Sequence, residues 1–72
     1  MTNQHYQIES KQILKVKYFK YFIENYKVKI DFNITEENDS TVFILTFKDE
    51  EERDCFNSDF RESIGFNSSF TN

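Results

Sequence analysis

"TVFILTF", residues 41–47, reads as a strand that is apolar on both faces. Side chains alternate across a strand, so Phe43, Leu45 and Phe47 point one way and Val42 and Ile44 the other. A strand with one wet face carries polar residues at every second position. This one suits a strand covered on both sides, or one whose second face meets a partner.

The segment before it, "KVKIDFNI" at 27–34, alternates cleanly, with Val28, Ile30, Phe32 and Ile34 opposite Lys27, Lys29, Asp31 and Asn33. "TEENDS" at 35–40 supplies turn-forming Asn, Asp and Ser, and predicts a polar loop joining the two strands into an antiparallel hairpin. Further upstream, "SKQILKVKYFKYFIENY" at 10–26 carries two signals. "ILKVKYF" alternates as a strand would, yet on a helical wheel Lys17, Lys20, Glu24 and Lys27 form one narrow stripe against a broad apolar arc. The arc favours a helix, capped by Ser10 and closed by Asn25 in the left-handed conformation.

Downstream, "FKDEEERDCF" at 47–56 holds five acids. Asp49 and Glu52 have the spacing of a capping box, and Glu50, Glu51 and Glu52 fill the first turn, where the helix dipole favours negative charge. Phe56, Phe60 and Ile64 then recur on one helical face, Gly65 stands where a helix stops, and Phe66 can fold back on Phe60. Residues 1–9, where Tyr6 and Ile8 alternate weakly, are a flexible end or a short edge strand; 67–72 read as a flexible tail. The expected fold is a single small α+β domain over 1–72, helix–strand–strand–helix, with a possible short extra N-terminal strand. Two strands alone make a marginal sheet, so helices or further strands must cover it.

A chain this short buries only about 60% of its unfolded surface. One cysteine, Cys55, excludes an internal disulfide, and with the single His5 it gives no cysteine-based zinc site. Nine Phe and four Tyr are left to supply the core, with self-association as a further support. "MTNQHYQIES" lacks a basic start and an apolar stretch, and the longest apolar run, "VFIL" at 42–45, is far short of a membrane span. A cytoplasmic location is expected, and the three Asn-x-Ser/Thr triplets at Asn33, Asn38 and Asn67 then occur by chance.

Phe, Tyr, Met, Ile, Asn and Lys make up 35 of the 72 residues, and Gly, Ala, Arg and Pro only 3. The genetic code ties the first set to AT-rich codons, as in many bacteriophages of low-GC hosts. Net charge is −4, unevenly placed: residues 1–30 hold six Lys against two acids, whereas 31–72 hold three bases against eleven. Such asymmetry is a hint about partners.

Catalytic chemistry needs convergent groups. His5 lies alone in a polar segment, and Cys55 follows five acids rather than the base and electropositive setting a nucleophile needs, so it reads as a small, partly buried apolar residue. Neither "TEENDS" nor "DEEE" has the spacing, central Gly and terminal Glu of a calcium loop, and no Gly-rich phosphate cradle is present. No enzyme, metal or cofactor is expected. "KQILKVKYFKYF" interleaves bases and aromatics as single-strand nucleic-acid binders do, but the chain as a whole is acidic. The expected function is therefore a small acidic interaction protein that binds and modulates or inhibits a larger protein. Glu36, Glu37, Asp39, Glu50, Glu51 and Asp54 are the candidate contacts, complementary to a basic nucleic-acid-binding surface. For a phage-borne gene, a host-takeover or anti-defence factor, such as an anti-CRISPR protein, is the specific form. The alternatives are a self-assembling structural subunit using strand 41–47, and a nucleic-acid binder using Lys15, Lys17 and Lys20. The plainest account of the acids is a solvated face plus a helix start.

Overall fold

A computed structural model describes residues 1–63. The expectations for Ile64, Gly65, Phe66 and the tail 67–72 lie outside them. Along the chain run β1 (Thr2–Glu9), α1 (Ile13–Glu24), β2 (Asp31–Glu37), β3 (Ser40–Phe47) and α2 (Glu50–Ser63). The α+β architecture holds, and the N-terminal segment that sequence left between flexible end and edge strand forms an eight-residue strand.

The sheet order is β1-β3-β2, antiparallel throughout. The doubly apolar strand is therefore the central one, with both of its edges hydrogen-bonded inside the chain. That leaves no edge of 41–47 for pairing with another subunit. Because β1 and β2 both oppose β3, they run parallel to each other, and α1 crosses from one to the other over the strand between them. This is a split β-α-β unit, to which α2 is added.

Register explains burial. Tyr6 faces Phe43 on one side of β3 and Ile34 faces it on the other; Phe32 stands beside Leu45. Tyr6, Phe43, Phe32 and Leu45, with Ile8 and Phe47, form the face under the helices, whereas Ile34, expected on that buried face, stays exposed near the hairpin end. Phe19 and Ile23 of α1 and Phe56 and Phe60 of α2 close it from above. Phe56 is the hub, with Tyr26 at 5.1 Å, Phe22 at 5.4 Å, Phe47 at 5.5 Å, Tyr6 at 6.0 Å and Phe19 at 6.1 Å between ring centroids. Most of these pairs meet edge to face, the geometry that aromatic quadrupoles favour.

Several boundaries differ from the sequence reading. Strand β2 starts at Asp31 rather than Lys27 and runs on to Glu37, so "TEE" is strand and only Asn38 and Asp39 turn the chain. Both have positive φ, 48° and 64°, as a tight two-residue hairpin requires, and Asn and Asp tolerate that region. Ser10 does not cap α1. The N-cap is Gln12, without a side-chain bond, while the Ser10 hydroxyl donates to Glu36 at 2.8 Å and its N–H to the Asp39 carbonyl at 2.9 Å. Tying β1 to the hairpin outweighs capping, because Ser10 emerges from a strand whose neighbour is that turn. Asn25 has φ −109°, not left-handed, and instead donates its side-chain N–H to the Tyr21 carbonyl. The capping box at α2 forms: the Glu52 N–H donates to Asp49 Oδ1 at 2.9 Å, and the Lys48 N–H to Glu52 Oε1 at 2.9 Å.

Replacing Phe56 by Ala removes the ring that six others touch and should cost about 3–5 kcal/mol in urea unfolding. Asp49→Ala, which loses only the cap, should cost about 1 kcal/mol.

Candidate functional site

The helices lie side by side and antiparallel on one face of the sheet. Tyr26, just beyond α1, donates its phenol to Asp59 of α2 at 2.5 Å, and Tyr18 bonds Ser63. Lys27 adds an ion pair to Asp59 at 3.4 Å and sits 5.8 Å from the Tyr26 ring centroid. The Tyr26 bond holds the Asp59 carboxyl below its ordinary value against the opposing effect of burial, with Lys27 helping. Burial pushes the Tyr26 phenol well above the usual tyrosine value, and the Asp59 charge adds to it. Tyr6, whose hydroxyl donates to Asn57, is raised in the same way, chiefly by burial in the core, while Arg53 pulls weakly in the opposite direction.

The six candidate contacts fall at opposite ends of the molecule. Glu36, Glu37 and Asp39 sit at the hairpin; Glu50, Glu51 and Asp54 sit on α2, which begins after the far end of β3. Eight residues of strand separate the two sets, about 23 Å at the usual rise. They do not form one surface. Glu36 is also committed to the fold, since it accepts from both Ser10 and Thr41. Asp54 pairs with its neighbour Arg53 at 3.1 Å, a surface contact of little energetic weight.

What sequence reasoning missed is the continuity of the α2 outer face. Glu51, Asp54, Ser58 and Glu62 follow one another at spacings of three and four, and all are exposed. The helix carries six acids against Arg53 and Arg61, a balance of −4. Beside it, α1 carries Lys15, Lys17 and Lys20 against Glu24, a balance of +2, and exposes Leu14 (81%), Tyr21 (63%) and Ile13 (59%). The charge asymmetry of the sequence thus survives folding as two neighbouring helices of opposite sign. Helical periodicity of the acids beyond Asp54 was the available signal.

No family model, curated protein or solved structure matches this chain. Among the described residues, no three His, Cys, Asp or Glu side chains are grouped to hold a metal ion, and no helix is long and apolar enough to cross a membrane. An open groove of about 220 Å³ runs between Tyr26, Val28, Lys48, Asp49 and Glu51, with Cys55 at its edge. Cys55 is exposed, not partly buried as its apolar character suggested, because it lies on the flank of α2 away from the Phe56 ring. His5 is exposed on the face of the sheet opposite α1 and α2.

The raised tyrosines set an alkaline limit. Folded Tyr6 and Tyr26 keep protons that an unfolded chain releases near the ordinary value of 10.0. Their contribution is complete below that pH and is lost as the pH rises toward the folded-state values. Urea unfolding across the alkaline range should show stability falling, with Tyr6→Phe flattening the fall. On the acid side, Asp59→Asn should flatten the loss of stability that begins as the pH drops below the ordinary carboxyl value of 3.8.

Proposed function

We propose that this chain is a non-enzymatic interaction protein that binds a larger protein and modulates or inhibits it, docking through the acidic outer face of α2. The supporting observation is the exposed row Glu51, Asp54, Ser58 and Glu62. Capping accounts for Asp49 and Glu52 but not for this row, which spans twelve residues, or about 17 Å of helix. A partner whose surface normally holds phosphates has the matching charge, and complementary potential speeds encounter and selects the target. In a phage-borne gene this is the action of an anti-defence factor. The hairpin acids, being distant and partly committed to the fold, play a lesser part.

The test is an affinity pull-down from lysate of an AT-rich bacterium, with and without nuclease, at low and high salt, followed by titration of the captured protein. Glu51→Lys, Asp54→Lys and Glu62→Lys together should weaken binding about tenfold or more and flatten its salt dependence. Glu37→Gln with Asp39→Asn should leave it within about twofold. Affinity indifferent to the α2 set and to salt would sink the proposal.

A second reading rests on α1, where exposed Tyr21 stands near Lys17 and Lys20. Aromatic stacking flanked by bases is how single strands are held. A gel shift at low salt decides it: binding that Lys15→Glu, Lys17→Glu and Lys20→Glu abolish together would favour this reading, and no shift removes it.

A further inference from the structure

The two edges of the sheet differ. Along β2, Asp31, Glu36 and Glu37 place charge on the outer strand, a device that discourages edge pairing. β1 has no such protection. Its eight residues pair with β3 without a bulge, contain neither Lys, Arg nor Pro, and carry a single charge at the last position, Glu9. Among the described residues no strand lies on its outer side. A long, regular, uncharged edge is a template for another strand.

We infer that β1 pairs with β1 of a second copy, antiparallel across a two-fold axis, joining the two sheets into one of six strands. Three observations select this occupant. A second β1 is as free of charge as the first, whereas β2 of another copy would bring its acids. A β1–β1 contact is isologous and closes at the dimer, whereas β1 on β2 would propagate without closing. The flank of α2 above β1 is also self-complementary. Asn57 marks that flank by its bond to Tyr6, and Glu50, Arg53 and Arg61 share it at helical spacing. Across the axis, the antiparallel helices bring the acidic start of one toward Arg61 of the other.

The faces restrict the register. Both helix layers must lie on the same side, so residues directly opposite each other must both face the core or both face away. Pairing residues 2–8 and leaving Glu9 beyond the end satisfies this. Thr2 then opposes Ile8, Gln4 opposes Tyr6, Asn3 opposes Gln7, and His5 meets His5 on the axis, on the open face.

The experiment uses the full chain. Sedimentation equilibrium over a wide concentration range should show a reversible monomer–dimer step. In a Cys55→Ser background, His5→Cys should form a disulfide-linked dimer under mild oxidation, since directly opposed strand residues lie within disulfide reach. Asn3→Cys should not, because in this register its own copy lies four residues away. His5→Glu, which opposes like charges at an exposed position that the core does not use, should raise the dissociation constant about fivefold. A chain that stays monomeric throughout, a dimer in which Asn3→Cys links as well as His5→Cys, or concentration-independent exchange protection of the β1 amides that point away from β3 would each overturn the inference.

Discussion

The fold depends on one ring. Phe56 touches aromatic side chains from β1, α1, the turn after α1, β3 and its own helix, so every layer meets at its edges. A 72-residue chain without a disulfide has few ways to assemble enough buried area. With no Ala and only two Leu, this one concentrates it in Phe and Tyr. The same economy explains why Tyr6 and Tyr26 keep their hydroxyls at the margin of the core, bonded to Asn57 and Asp59 of α2. Each ring fills space while its polar end fastens the second helix.

Placement of β3 follows from its two apolar faces only in part. Phe43, Leu45 and Phe47 are fully buried under the helices, but Val42 and Ile44 lie on the face that neither α1 nor α2 covers. Val42 is nonetheless buried, because Gln7 and Thr35 stand on either side of it in register. A central strand is sheltered by its neighbours even on an open face. Its apolar residues therefore record its position in the sheet rather than a second layer.

Most of the element order was legible because periodicity is a local signal. Phe56 and Phe60 recur at helical spacing, Val28 to Ile34 alternate, and Asp49 with Glu52 marks a helix start. What was not legible depended on tertiary partners. Gln4 and Gln7 in β1 reveal little of a strand until β3 is beside them. Ser10 has the chemistry of a cap and was diverted by Glu36. The stretch 35–37 is polar enough for a loop, and became strand because two positive-φ residues suffice to turn the chain. In the candidate site, the identities of the acids and the strand at 41–47 that divides them were both readable, whereas the commitment of Glu36 to Ser10 and Thr41 was not, because those partners come from elsewhere in the sheet.

The sheet order also bears on the sequence in which the molecule is assembled. Hairpin β2–β3 closes through two residues, whereas β1 reaches β3 only by enclosing α1 and β2 in the loop between them. Loop closure over that span is the slower event. On the ribosome β1 emerges before β3 and lacks its partner in this sheet until residues 40–47 have followed. β1 waits for β3, and a polar, Gln-rich and Asn-containing strand is a composition that can wait in water.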